Sequence, residues 1–433
     1  MGASHGERKV KVENVLERVY NQRRLYLAWQ RVKENAGAAG IDGMTVQAFA
    51  EKERELLALI REKLVTGTYR FKPARRVLIP KPGTTQKRKL GIPVVMDRIV
   101  SQSLHSVLAE IYLSDFTSSN FGFREKKNQH QAIAHVRKAV TGGYEWCASI
   151  DLKSFFDEIP HDLILELIRR KIRDERLVTL VARALKAGVI VDGTLQKSIK
   201  GCPQGSPVSP ILSNIVLNEL DHELERRGHR YCRWADDFLI FLKSPRAARR
   251  VMDSITEFLE VGLHLPVNRR KSQVAPVKDV EFLGFQILRE KIRVSMKARK
   301  RFKDKVRLLT RRNNPYSMNQ VIQKLNEYLR GWISYFRVQE FRKLLRSLDE
   351  FIRSRLRSMQ LKKWKKPRKF QRMMIRAGFP VAEAKRTWIK MRRWQSVERP
   401  VVKFLMNLKW FRSQNLLFLD DFTDRTPKLG FAC

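Results

Sequence analysis

Apolar residues recur at helical spacing over 10–35 and again over 46–66, and the glycine-rich stretch Asn35-Ala-Gly37-Ala-Ala-Gly40-Ile-Asp-Gly43 separates the two. The pattern then changes. Ala74-Arg-Arg-Val-Leu-Ile-Pro80-Lys81-Pro-Gly83, a basic turn through Lys89, and Leu90-Gly-Ile-Pro93 read as strands and turns over 74–95. Helices are expected over 96–113 and 128–140, followed by an apolar strand, Trp146-Cys-Ala-Ser-Ile150, that ends at Asp151. A helix-rich stretch runs to Gly188. The turn-forming cluster Gly201-Cys-Pro203-Gln204-Gly205-Ser206-Pro207-Val-Ser209-Pro210 then opens an apolar helical pattern through Leu224. Alternating, β-branched and aromatic residues in Arg230-Tyr-Cys-Arg-Trp234-Ala-Asp236-Asp237-Phe-Leu-Ile-Phe-Leu242 predict a hairpin with Ala-Asp-Asp at its turn. Ser244 and Pro245 supply an N-cap and first helical position for a helix to about 262. Val280–Leu288 is strand-like. From 295 the chain becomes a series of long basic amphipathic helices broken at Asn313-Asn-Pro315 and Lys366-Pro367, which places a domain boundary near 290.

Composition adds a partner to this outline. With 433 residues and 43% hydrophobic content the chain can build two or three domains around a sizeable core. Its 88 lysines and arginines against 44 acids give a net charge of +44, which calls for a polyanion, by default nucleic acid. The charge is uneven: 291–433 holds 39 basic and 10 acidic residues, a net of +29. Its cations alternate with aromatics, in Gly331-Trp-Ile-Ser-Tyr-Phe336, Lys362-Lys-Trp364, Trp388, Trp394 and Trp410, a mixture suited to phosphate binding and base stacking unless the rings are helix core. No apolar stretch reaches the roughly 18–20 residues that span a bilayer. The N-terminus lacks a signal core, and Gly6 stands where a myristoylation pattern needs Ser or Thr, so no membrane partner and a cytoplasmic location are expected. Cys147, Cys202, Cys232 and Cys433 form no Cys-x-x-Cys pair and read as buried thiols.

An Asp-Asp pair in a hairpin is by itself an ordinary solvated turn. Asp151 changes that reading, because carboxylates at the ends of neighbouring strands can hold two divalent cations about 3.5–4 Å apart for phosphoryl transfer. Four features stand in order: Arg75, Arg76 and Lys81 around a basic turn; Asp151 with Phe155-Phe156; the Pro-Gln-Gly turn; and the Asp236-Asp237 hairpin. Nucleotide addition requires this set of chemistries. Acids hold metal ions, Arg and Lys cover a triphosphate, and a bulky ring beside the sugar excludes a 2′-hydroxyl.

Phe121-Gly-Phe-Arg124, Asp151-Leu-Lys-Ser-Phe-Phe-Asp157, Pro203-Gln-Gly-Ser-Pro-Val-Ser-Pro210, Trp234-Ala-Asp-Asp237, Pro266-Val-Asn-Arg-Arg-Lys271-Ser and Phe282-Leu-Gly-Phe285 together resemble the ordered motifs of bacterial group II intron-encoded reverse transcriptases. Leu329-Arg-Gly331-Trp332-Ile-Ser-Tyr335-Phe336 is similar to their maturase segment. The resemblance implies an α+β right-hand polymerase: a helical extension of the fingers over 1–70, fingers and an antiparallel-sheet palm over 71–290, and an all-helical basic thumb/maturase domain over 291–433. It implies that Asp151, Asp236 and Asp237 bind two Mg²⁺ ions and that Arg75, Arg76 and Lys81 meet the triphosphate. Phe156 would gate the sugar, Gln204 would lie against the nucleotide, and Lys271 would donate a proton to pyrophosphate. Arg124, Phe282 and Gly284 would face primer and template. The implied partners are intron or other structured RNA, an RNA template with a DNA primer, and deoxynucleoside triphosphates. Two departures stand out: Trp234 replaces the usual Tyr, and the chain reaches Cys433 without a Cys-rich nuclease module, which implies no second-strand cleavage. Two other roles fit the same motifs, a host-recruited enzyme of repair or antiviral defence and an RNA-binding splicing factor with a vestigial polymerase site.

Overall fold

The computed structural model describes residues 11–80, 87–288, 291–364, 367–389 and 397–425. The chain divides into two compact units, Met1–Val280 and Glu281–Cys433.

The first unit opens with four helices, Val15–Val19, Gln22–Glu34, Val46–Glu51 and Glu53–Val65. Each expected helical stretch is therefore interrupted. Asn21 caps the second helix through its side chain, and Thr45 caps the third, so local capping decides where the helices start. Trp29 fixes the extension: its ring is fully buried against Phe49 at 4.5 Å, and its indole N–H donates to Glu53 at 2.7 Å. The helix Val95–Tyr112 runs through the unit's core.

Two sheets follow. Strands β1 (Ala74–Pro80), β2 (Lys87–Ile92), β4 (Val189–Val191) and β5 (Thr194–Gln196) make a mixed sheet in the order β2-β1-β4-β5, with β1 and β4 parallel. Strands β3 (Trp146–Ile150), β6 (Arg230–Trp234), β7 (Asp237–Leu242) and β8 (Gln273–Pro276) make an antiparallel sheet in the order β6-β7-β3-β8. Its centre is strongly apolar: Cys147, Ala148, Ile150, Phe238, Leu239, Ile240 and Phe241 are all at most 1% exposed. Central strands covered on both faces read as such continuous apolar runs. The long helix Ser209–Arg226 buries Ile211, Leu212, Ile215, Val216 and Leu220 in the same core.

In the second unit, β9 (Phe285–Leu288) and β10 (Lys291–Val294) form an antiparallel pair. The strand expected from 280 starts only at Phe285, because Leu283 and Gly284 turn at φ 52° and 80°. Helices Met296–Leu309, Met318–Phe336 and Arg342–Lys363 follow, with shorter helices beyond. The aromatics here are mainly core. Trp332 lies 4.6 Å from Phe302 and 4.8 Å from Phe336, and Trp364 is buried, so these rings do not stack on bases. Trp410 is half-buried; Trp394 and the side chain of Trp388 lie outside the described residues. Asp349, on the helix Arg342–Lys363, accepts the backbone N–H groups of Leu419 and Asp420 at 2.9 and 3.0 Å, anchoring the last described segment.

Cys147, Cys202 and Cys232 are buried free thiols; Cys433 lies outside the described residues. Among the described residues no helix is long and apolar enough to cross a membrane.

Candidate active site

Strand register brings the three aspartates to one end of the antiparallel sheet. Ile150 pairs with Phe238 across β3 and β7, so Asp151 and Asp237 are the next residues on adjacent strands. Trp234 pairs with Asp237, leaving Ala235 and Asp236 as a two-residue turn. Asp237 is thus the first strand residue rather than part of the turn. Ala235 holds φ 56°, a left-handed conformation unfavourable for a residue with a Cβ. Gly122 explains how close the neighbouring chain runs: a Cβ there would lie 2.2 Å from the Ala235 nitrogen.

The segment 266–272 fixes Asp151 from the other side. Asn268 N–H donates to the Asp151 carbonyl at 2.7 Å, Asp151 N–H donates to the Ser272 hydroxyl at 3.0 Å, and Lys153 N–H donates to the Pro266 carbonyl at 2.8 Å. Lys271 Nζ stands 3.7 Å from the Asp151 carboxylate. Burial raises the Asp236 carboxyl above its ordinary value; the negative charge of Asp151 pushes in the same direction, while its own backbone N–H, Arg88 and Arg233 pull it back. Among the described residues no three His, Cys, Asp or Glu side chains form a closed metal-ligand group. The donors present nevertheless suit a hard divalent cation, which takes one or two carboxylates and completes its shell with phosphate oxygens and water.

A cavity of about 340 Å³ in the same unit collects Arg76, Lys89, Phe156, Asp157, Lys200 and Gln204 among its walls. Phe156 is half-exposed there, whereas Phe155 is buried. The Phe156 carbonyl accepts the Cys202 N–H at 2.6 Å, and a Cβ on Gly201 would sit 2.8 Å from the carbonyls of Phe156 and Asp157. The segment before the Pro-Gln-Gly turn therefore grips the short helix Phe155–Glu158. Gln204 donates to Asp157 at 3.4 Å, and its carbonyl accepts the Gly91 N–H at 2.7 Å.

Strand alternation separates the two neighbouring arginines. Arg76 lines the cavity, while Arg75 donates to the Ala39 carbonyl at 3.2 and 2.8 Å and so secures the glycine-rich loop. Lys81 lies outside the described residues. Arg124 turns inward, donating to the carbonyls of Thr117 at 2.6 Å and Asn120 at 3.1 Å beneath the Phe116 ring. In the second unit, Phe282 and Phe285 exchange backbone hydrogen bonds at 3.0 and 2.9 Å around the turn at Gly284, whose Cα faces the Phe336 ring. Sequence reasoning missed Arg88, Lys89, Lys200 and Ser272. The basic stretch through Lys89 was a visible signal for the first two, which stand on β2 rather than in a turn; Lys200 is placed by tertiary contacts alone, whereas Ser272 closes the motif Pro266-Val-Asn-Arg-Arg-Lys271-Ser.

Residues 79–287 match the family described as "Reverse transcriptase (RNA-dependent DNA polymerase)", and residues 299–377 match "Group II intron, maturase-specific domain". Protein YkfC of Escherichia coli is 32% identical over 299 residues, covering 60% of this chain and 78% of that protein. The group II intron-encoded protein LtrA of Lactococcus lactis is 35% identical over 198 residues, 45% of this chain and 32% of LtrA. The putative COX1/OXI3 intron 1 protein of Saccharomyces cerevisiae is 37% identical over 214 residues, 49% of this chain and 25% of that protein, so the chain spans only a minor part of these two relatives. A solved structure titled "Partial Cas6-RT-Cas1--Cas2 complex" aligns with 57% of this chain and 43% of its own at 19% identity and a TM-score of 0.35. The two matched modules, in this order and with these relatives, establish that the chain belongs to the group II intron-type reverse transcriptase/maturase family, RNA-directed DNA polymerases that bind RNA.

Proposed function

We propose that this protein extends a DNA primer on an RNA template with deoxynucleoside triphosphates at a two-Mg²⁺ centre, and that it binds structured intron RNA to assist its splicing and mobility. The observation that carries the reading is the β3–β7 register, which sets Asp151 beside a hairpin whose Asp236 carboxyl feels its charge. Asp151, Asp236 and Asp237 would hold the metal. When bound, Mg²⁺ neutralises the reacting phosphates and lowers the barrier to 3′-hydroxyl attack on the α-phosphate.

The remaining roles belong to the chain itself. Arg76, with Lys89 and Lys200 nearby, covers the triphosphate, a role the sequence motif extends to Lys81, and Arg75 serves chiefly through the loop it secures. Phe156 bars a 2′-hydroxyl by volume, and Gln204, in the same cavity wall, steadies the nucleotide. Lys271 carries a proton toward departing pyrophosphate, a role supported by its Nζ standing 3.7 Å from the Asp151 carboxylate. Phe282 and Gly284 support the primer end, and Arg124 acts on template and primer through the loop it orders. In domain terms, 1–70 extends the fingers, 71–290 forms fingers and palm, and 291–433 forms the RNA-binding thumb/maturase domain, with 285–288 paired into the latter.

Primer extension by the purified chain tests the reading. Wild type extends a DNA primer on RNA only with Mg²⁺, and Asp236→Asn loses about 10³-fold in rate, the several kcal/mol that metal charge stabilisation supplies. A wild type inactive across templates and salts, or an Asp236→Asn variant of undiminished rate, overturns it.

A further inference from the structure

We propose that Arg233, Asp221 and Asn214 are positioning residues that set the Ala235-Asp236 turn, an inference that rests on Asp236 belonging to the metal site. All three side chains are 0% exposed, as is Asn120 beside them. Arg233 forms a bidentate ion pair with Asp221, one arm of it at 2.7 Å. Exchanging a wholly buried ion pair for apolar residues of similar volume is often neutral or stabilising, so stability alone gives no reason for this one.

Its remaining arm supplies a reason. Arg233 Nη1 donates to the Ala235 carbonyl and to Asn214 Oδ1, each at 3.0 Å. Asn214 in turn donates Nδ2–H to the Gly122 carbonyl at 2.9 Å. Gly122 runs against the Ala235 nitrogen, so one amide side chain ties together both objects that bracket the turn. The backbone joins in: Arg233 N–H donates to the Ser119 carbonyl and Phe121 N–H donates to the Arg233 carbonyl, both at 2.9 Å. The result is a left-handed Ala235, held against its own preference. The next residue is Asp236, and the Ala235 dihedrals decide where its carboxylate points. Catalytic groups tolerate errors of only about 0.5 Å, and a planar fork with five donors is the side chain best able to enforce that.

The test separates positioning from folding. The double variant Arg233→Met, Asp221→Leu replaces the ion pair with apolar volume and removes the arm to Ala235; Asn214→Leu keeps the ion pair and cuts the tie to Gly122. Expected for each is a cooperative melt, lowered by no more than the loss of one or two buried hydrogen bonds, with unchanged RNA binding and nucleotide KM and a kcat lower by about 10- to 100-fold, the usual loss when a residue supporting a metal ligand is removed. Backbone hydrogen exchange at 234–238 should quicken while the rest of the sheet stays protected, and more Mg²⁺ should be needed for half-maximal extension. Folded variants with wild-type kcat and unchanged exchange at 234–238 overturn the proposal. If the double variant fails to fold, Asn214→Leu alone decides between the same two results. Wild-type extension by Asp236→Asn would instead overturn the metal-site reading beneath it, a failure that the exchange data at the turn would not mimic.

Discussion

Arginine does different work in the two units. In the first unit several guanidinium groups face inward onto carbonyl oxygens: Arg233 onto Ala235, Arg124 onto Thr117 and Asn120, Arg98 onto Pro93 and Ala38, Arg75 onto Ala39. In the helical unit Arg357 does the same for Met406 at 3.2 and 3.1 Å, but the helix Met296–Leu309 keeps Lys297, Lys300, Arg301 and Lys305 exposed over a buried Phe302 and Val306. The arginines turned onto carbonyls fix backbone geometry, while the exposed cations of this helix coat a surface with positive potential. Fixed geometry suits a reaction at one phosphorus atom, while a cationic coat suits a long polyanion of varied shape.

Glycine substitutions offer the harshest way to break this contrast. Gly122→Ala must push the hairpin turn aside and should cost about 1–3 kcal/mol of stability with a large fall in extension rate. Gly331→Ala, at an exposed helical position with nothing within 4 Å of its Cβ, should raise stability by about 0.5–1 kcal/mol. Thermal melts paired with extension assays read both; equal tolerance at the two glycines would erase the distinction. A smaller effect is expected from Lys297→Ala, Lys300→Ala and Lys305→Ala combined. RNA affinity should weaken without loss of stability, and the slope of log K against log salt should flatten by about 0.7 for each phosphate no longer neutralised. An unchanged slope would remove this helix from the RNA-binding surface.

The smallest effect is one the two units share. Burial raises Asp97 in the first unit and Asp349 in the second to about 6 from an ordinary 3.8, against the hydrogen bonds from Tyr69 and Lys72 and from Leu419 and Asp420 that pull them down. A raised carboxyl favours the folded state when protonated. That contribution is complete below the ordinary value and lost as pH climbs through about 6. Melting temperature should therefore slope downward between pH 4 and 6 from this source, and Asp97→Asn and Asp349→Asn should each remove part of the slope. A slope identical in both variants and wild type would contradict these shifts.

Much of this was legible beforehand because the signals were local. Alternation marked β6 and β7, Ser244 and Pro245 did start the helix Pro245–Glu257, and Asn313-Asn-Pro315 does separate two helices. The strands β4, β5 and β8 were not foreseen, since three or four residues are too few for a period to register, although Asp192-Gly193 carried a turn signal. Adjacent arginines look equivalent in one dimension; only pairing tells which side of β1 each occupies. The Arg233–Asp221 pair was invisible for a related reason, since a charge flanking a hairpin ordinarily means solvent.

The hydrogen bond from Gly91 to the Gln204 carbonyl has a mechanical corollary. It fastens the strand that carries Lys89 to the Pro-Gln-Gly turn, and Gly205 sits so near the Gly91 oxygen that a side chain there would collide at 2.3 Å. A displacement of either the strand or the turn therefore strains that bond and is passed to the other. With Gln204 against the nucleotide, as proposed, a badly shaped base pair leaning on it would also load the strand that carries Lys89.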